Sequence, residues 1–299
     1  MAFIEIRNVS KSFRSGGTTR HVLKDVNLSV NEGEFVSIVG FTGSGKSTLL
    51  NITSGLLAPD SGTVTIGGKE VRGVHREASV VLQNYSLLPW FSALENVRLA
   101  VNSRFPEWLP KKQQQHAEKY LEAVGLSGAL HRRPGQLSGG MRQRVAIARA
   151  FATGPSILFL DEPFSALDAL TRSTLQQDLA RMCSEVGKPV TTIMITNNLD
   201  EALLLSDQIV PMTRAPNARL NAPIGVRLPR PRAAAQLLHD GVAVRIRSEV
   251  VELLTDFIHT KRGDSYVRST RDQRPDEGLS DTFGTVCGSA ECERANAGG

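Results

Sequence analysis

Gly40-Phe41-Thr42-Gly43-Ser44-Gly45-Lys46-Ser47 have the residue types and spacing to hold a phosphate. Glycines let backbone N–H groups converge on phosphate oxygens, and a helix N-terminus adds a favourable dipole. Lys46 suits the β- and γ-phosphates of a nucleotide, and Ser47 suits Mg²⁺. An apolar run, Glu34 to Val39, precedes the glycines, and Thr48-Leu49-Leu50-Asn51-Ile52 starts a helix after them. The order strand, glycine loop, helix is that of a P-loop binding nucleotide phosphate over Gly40 to Thr48.

A second constellation follows at Ser156-Ile157-Leu158-Phe159-Leu160-Asp161-Glu162-Pro163. A short apolar run ending in two acids reads as a fully buried parallel strand with carboxylates at its C-terminal edge, where open α/β sheets bind ligands. Asp161 has the position of a Mg²⁺ ligand, and Glu162 beside it that of a general base polarising water. Gln83 ends another apolar run, Ala78 to Leu82; a glutamine there can coordinate Mg²⁺ or orient the attacking water. Ser138-Gly139-Gly140, inside Gln136 to Arg144, offers a hydroxyl and free N–H groups to an anion at a helix start. Phe13 precedes the loop Arg14-Ser15-Gly16-Gly17 and has a face on which a nucleobase could stack, although a core role is its ordinary reading.

The elements that must position these residues are strands over Phe3–Val9, His21–Val30, Glu34–Val39, Thr63–Ile66 (ending in a hairpin at Gly67-Gly68), Ala78–Leu82, Ser156–Asp161, Pro189–Ile195 and, last in the core, Gln208–Met212. Helical periodicity marks Ala93–Val101, Lys111–Val124, Met141–Ala150 and Leu199–Leu205. The βαβ alternation over residues 34–212 implies a mostly parallel sheet with a helical insert. The chain has 299 residues, 40% hydrophobic and 22% charged, which fits a soluble globular protein with ample core. No apolar run approaches the ~18 residues of a membrane span, and the alternating N-terminus lacks the pattern of a signal peptide. The expected setting is the cytosol unless a partner holds the chain at a membrane. Cys183, Cys287 and Cys292 read as free thiols, and the net charge of +5 is too diffuse to mark a nucleic-acid face.

The order Gly40–Ser47, Gln83, Leu137-Ser138-Gly139-Gly140-Met141-Arg142-Gln143-Arg144, Leu160-Asp161-Glu162-Pro163, Ser165-Ala166-Leu167-Asp168 resembles that of an ABC transporter ATP-binding subunit over residues 2–230. The resemblance implies an α/β fold: a P-loop NTPase (RecA-like) core, an antiparallel β subdomain and a helical signature-motif subdomain at about 86–150. It implies Phe13 on the adenine of ATP, Gln83 linking core to helical subdomain, Ser138 and Gly140 on the γ-phosphate held by a second subunit, and Asp168 crossing a head-to-tail dimer interface. Asn84 to Trp90 would help receive a coupling helix of a transmembrane permease, with a periplasmic or lipoprotein solute-binding protein in the same system. The subunit would then be peripheral on the cytoplasmic face of the inner membrane.

One position departs from the family. Asn197 stands where the family usually carries a switch histidine, and none of the six histidines lies within thirty residues of it. Asparagine keeps a hydrogen-bond donor but cannot be protonated, so slower hydrolysis or fuller reliance on Glu162 is expected. Ile195 to Ala202, Ile209 to Thr213 and Val226 to Arg232 resemble the nitrate/nitrite/bicarbonate branch of the importers of nitrate, sulfonates and taurine. A sulfonate- or taurine-type importer subunit is the alternative, and a soluble ABC ATPase working on nucleic acid or ribosomes is the rival class. Residues 231–262 read as a helical extension. Residues 263–299, with four Arg against seven Asp and Glu, read as a disordered acidic tail.

Overall fold

The structure is a computed structural model describing the backbone of residues 2–185 and 189–269. It opens with a long antiparallel ribbon, β1 (Ile4–Ser15) and β2 (Thr18–Val30), turned by Gly16-Gly17. Both glycines have positive φ, +56° and +81°, the combination that lets a two-residue turn follow the twist of its strands. The residues expected as a loop, Arg14 to Gly17, are therefore strand ends and a tight turn. β3 (Phe35–Gly40) leads into α1 (Lys46–Thr53), and β4 (Ser61–Ile66) turns into β5 (Lys69–Glu70). After β6 (Ala78–Val81) come three helices, α2 (Ala93–Arg104), α3 (Pro110–Ala123) and α4 (Gly139–Phe151). The chain then alternates through β7 (Ile157–Asp161), α5 (Ala169–Glu185), β8 (Thr191–Thr196), α6 (Leu199–Leu205) and β9 (Gln208–Met212). It closes with β10 (Ile224–Gly225), α7 (Ala234–Leu237) and α8 (Gly241–Ser269).

Two sheets result. The antiparallel one has the order β2-β1-β4-β5; the other runs β10-β9-β3-β8-β7-β6. From β9 to β6 all pairings are parallel, as the βαβ alternation requires. β9 was expected to end the core, but β10 adds an antiparallel edge at Ile224↔Ile209, a pairing too short to leave an apolar period in the sequence.

The period of two along the central strands sorts the side chains into two cores. Ile157 and Phe159 of β7, with Ile193 and Ile195 of β8, pack with α1 and the antiparallel sheet. Leu158 and Leu160, with Met194, pack with the helices α2 to α4 and α5. A third cluster joins α6, β9 and β10 to Leu237, Ala243, Ile246 and Val250 of α7 and α8. α8 is helical through Ser269, past the expected boundary at residue 262. The remainder of the expected acidic tail, with Cys287 and Cys292, lies outside the described residues.

Candidate functional site

The glycine loop bends at two places for different reasons. Gly43 has φ +77° and open space where a Cβ would go, so only its backbone angle demands glycine. Gly45, at φ +102°, has no room either: a Cβ would stand 2.7 Å from Val22 Cγ1 and 3.1 Å from Leu23 Cδ2. That contact also seats β2, and with it the ribbon carrying Phe13, beside the loop. Phe13 is 42% exposed with the Lys11 ammonium 5.7 Å from its ring, so it is a surface aromatic and not core.

Gly45 is the N-cap of α1, and no side chain caps the helix. The first-turn N–H groups, Thr48 included, have no intrahelical partner and remain available to an anion. The Ser44 hydroxyl, buried in the loop, makes no hydrogen bond among the described residues. These two observations fit a phosphate cradle. Lys46 closes it from inside: its ammonium donates to the carbonyls of Gly40 (2.9 Å) and Phe41 (3.0 Å). Burial lowers the pKa of Lys46, against the pull of Glu162 and Asp161.

The two acids at the end of β7 meet different surroundings. Asp161 is buried and accepts a hydrogen bond from Ser47 Oγ at 3.1 Å. Burial raises its pKa; the Ser47 bond opposes that, Glu162 adds to it and Lys46 opposes it. Two oxygen donors from distant parts of the chain thus stand together beside the loop, the hard donor type a Mg²⁺ ion takes. Glu162 adopts φ +44°, a left-handed backbone rare outside glycine. Its N–H donates to Ile195 O at 3.0 Å, and its carbonyl accepts from the Ser165 N–H and hydroxyl. The strained turn, held from both sides, aims its carboxylate at three groups. Gln83 Nε2 and Asn197 Nδ2 each stand 3.4 Å from Oε2, and Lys46 Nζ stands 3.8 Å from Oε1. Asn197 Nδ2 also reaches Thr42 Oγ1 at 3.5 Å.

Ser138 and its glycines stand apart from this cluster. Ser138 N-caps α4, its hydroxyl oxygen accepting from Met141 N–H at 3.2 Å. A Cβ on Gly139 would lie 3.6 Å from the Tyr85 hydroxyl and 3.7 Å from Ala166 O, and one on Gly140 would lie 2.6 Å from Thr171 Cγ2. The neighbours of the signature residues are therefore α5 and the segment before it, not the glycine loop. Asp168 in that segment is exposed and caps α5 through Thr171 N–H at 3.0 Å, a bond that lowers its pKa.

Several residues that position the site carry no local signal. Arg149 of α4 donates to the carbonyls of Ser86 (2.7 Å) and Tyr85 (2.8 Å), clamping two residues with φ +45° and +63° just after Gln83. The Arg214 guanidinium lies 3.8 Å from the Phe41 ring centre, covering the start of the glycine loop. Only the sequence separation of these pairs hides them; nothing in a window of neighbours could reveal them.

Residues 23–165 match the family described as ABC transporter. The chain is 44% identical over 262 residues to the bicarbonate transport ATP-binding protein CmpC of Synechococcus elongatus, covering 87% of this chain and 39% of that protein. It therefore spans about two-fifths of that relative's length. It is 44% identical to the nitrate import ATP-binding protein NrtD of the same organism, covering 84% of this chain and 91% of the other. A solved ATP-binding cassette, described as a dimeric post-hydrolysis state bound to ADP and Pi, superposes with a TM-score of 0.69 at 32% identity, covering 75% of this chain and 99% of its own.

Proposed function

The chain belongs to the ABC transporter family, and on that premise we propose that it hydrolyses ATP to drive import of a small anion through a membrane permease. The observation that carries the chemistry is the Glu162 carboxylate at the focus of Lys46, Gln83 and Asn197. The N–H groups of Gly43 to Thr48 and the Lys46 ammonium bind the β- and γ-phosphates, and Phe13 takes the adenine. Ser47, Asp161 and Gln83 would hold Mg²⁺, which when bound would neutralise phosphate charge. Glu162 takes a proton from the attacking water, while Gln83 and Asn197 orient it by hydrogen bonds.

Ser138, Gly139 and Gly140 complete the site of a second copy in a head-to-tail dimer, with Asp168 at the interface. The separation of these residues from the glycine loop within one chain supports that reading, as does the dimeric solved cassette. The permease docks beside Trp90, which is 62% exposed, and Leu99. A cleft of about 300 Å³ beside them is lined by Phe91, Glu95, Arg98 and Pro110. A solute-binding protein delivers the anion, the subunit sits peripherally on the cytoplasmic face, and nucleic acid is no partner. The relatives named for nitrate and bicarbonate support nitrate, nitrite or bicarbonate as the solute.

Glu162→Gln tests the chemistry: it removes the base and keeps the volume. It should abolish Mg²⁺-dependent turnover and accumulate an ATP-bound dimer, visible by size-exclusion chromatography. Undiminished turnover would sink the assignment. Stimulation of the reconstituted complex by nitrate, and not by bicarbonate or taurine, would assign the solute.

A further inference from the structure

Behind the catalytic cluster lies a buried carboxylate that the hydrolysis chemistry does not use. Glu201, on the first turn of α6, is 4% exposed. Its Oε2 accepts from the Thr196 hydroxyl at 2.7 Å, and its Oε1 stands 3.8 Å from Arg172 Nε. Each partner reaches onward. The Thr196 hydroxyl oxygen accepts from Asn198 N–H at 3.0 Å, so one carboxylate ties down the residues on both sides of Asn197. Arg172, on the first turn of α5, donates from its Nη2 to Leu167 O at 2.8 Å, inside the segment that ends at Asp168.

We infer that Glu201 and Arg172 are positioning residues that couple the Ser165–Asp168 segment to the switch residue Asn197, and through it to Glu162. The inference rests on the ATPase reading above. The path runs from Leu167 O through Arg172, across a 3.8 Å gap to Glu201, then through Thr196 and the backbone at 196–198 to the Asn197 amide 3.4 Å from Glu162.

Two observations give the path a movable joint. Arg172 Nε is buried and has no hydrogen-bond partner among the described residues, and its separation from Glu201 is about 0.9 Å beyond hydrogen-bond length. A small displacement at the start of α5 therefore makes or breaks a charge-assisted bond in a place where such bonds are strong. A cleft of about 400 Å³, lined by Glu162, Ser165, Arg172, Asn197 and Glu201, borders the joint and leaves room for that displacement. Burial raises the Glu201 pKa, the Thr196 and Arg172 contacts oppose that, and the nearby carboxylates of Glu162 and Asp200 add to it. A second copy pressing on the Asp168 segment would thus reset the group that orients the attacking water, and hydrolysis would wait for the dimer.

The test uses the full chain. Glu201→Gln keeps the shape and the Thr196 bond but loses the charge facing Arg172; Arg172→Met keeps the stem and loses the guanidinium at a partly exposed position. Each should lower kcat roughly tenfold or more while ATP affinity stays within about twofold, because a positioning loss acts on the reacting geometry alone. The double variant should be no worse than the poorer single one, the non-additivity expected of one shared path. Wild-type kcat in either variant, or multiplying losses, would overturn the coupling. A loss of kcat that tracks a loss of thermal stability, and is restored by cooling, would reduce the pair to a structural role and overturn it too. A wild-type chain without Mg²⁺-ATPase activity would overturn the functional reading itself, a result separable from all of these.

Discussion

The glycine-loop end and the signature end of this chain are both helix starts that face phosphate in the proposed dimer, yet they are built in opposite ways. At the glycine loop the polar groups converge within one chain: Lys46 holds two loop carbonyls, Ser47 meets Asp161, and Glu162 gathers Gln83, Asn197 and Lys46. At the signature the Ser138 hydroxyl is exposed and spends one lone pair on its own helix, and nothing from the glycine loop approaches it. In the proposed reading the first end holds the nucleotide with groups of its own chain. The second is half of a binding site, and its chemistry depends on what a second copy brings. Nucleotide affinity should therefore belong to one end and turnover to both.

Removing the Lys46 ammonium is the strongest way to break that division. Lys46→Ala takes away the buried cation and its hydrogen bonds to the carbonyls of Gly40 and Phe41, the latter keeping only the Ser44 N–H. Loss of a preorganised charged clamp of this kind should cost at least about a hundredfold in Mg²⁺-ATP turnover. Here the loss should show in ATP affinity as well, measured by fluorescent-nucleotide titration. Unchanged affinity would mean the two ends differ less than their geometry implies.

Gly140→Val addresses the other end. It should lower turnover by about tenfold or more while ATP affinity stays near wild type, since a branched side chain would stand between the helix N-terminus and the partner's phosphate. Its Cβ also meets the Thr171 methyl, 2.6 Å away in the glycine's present position. Pairing it with Thr171→Ala separates the causes. Recovery of turnover in the pair would trace the loss to an internal clash and would break the claim that this surface is completed by a second copy.

The sequence made one end far more legible than the other, for physical reasons. Glycines at fixed offsets and an apolar strand ending in acids are local patterns, so Gly40–Ser47 and the run from Ser156 to Pro163 point to a loop and a buried strand without any long-range contact. The same holds for α6 and β9, whose apolar periods begin and end where the helix and strand do. The supports of the site are long-range. Arg149 clamps a turn 63 and 64 residues away, and Arg172 meets Glu201 across two elements, pairings with no local signature. The tip of the β1–β2 ribbon, Phe13–Ser15 and Thr18–His21, is exposed on both faces and so offers no apolar alternation to mark it as strand.

Asn197 lies at the glycine-loop end but in the proposed reading orients the attacking water, so substituting it sharpens the boundary between affinity and rate. It is exposed and lines a cleft of about 400 Å³. Asn197→His should raise kcat by about tenfold, the gain from replacing a neutral hydrogen bond with a charge-assisted one, with ATP affinity unaltered. An unchanged rate would place the limit on hydrolysis elsewhere, with the dimer-dependent joint at Glu201 the first place to look.

The smallest effect is expected where the ribbon carrying Phe13 is fastened. Asp60, in the turn before β4, accepts from Lys11 Nζ at 2.8 Å and from both the N–H and the hydroxyl of Ser12 at 2.7 Å. The Lys11 bond, then the Ser12 hydroxyl, hold its carboxyl at a pKa of about 2, below the usual carboxylate value. A carboxylate with a depressed folded pKa contributes stability that is whole above its unfolded pKa, about 3.9, and is lost as pH falls through the folded value. Asp60→Asn should lower the melting temperature by only about 1–4 °C at pH 7, because the ion pair is solvated. The gap from wild type should hold down to about pH 4 and close toward pH 2, where the native carboxyl is itself protonated. If Phe13 takes the adenine, loosening Lys11 and Ser12 beside it should raise KM for ATP by less than about threefold and leave kcat alone, the pattern of a lost uniform binding contact. A change in kcat instead would mean that the ribbon reaches the reacting groups, and that the glycine-loop end is less self-contained than its hydrogen bonds imply.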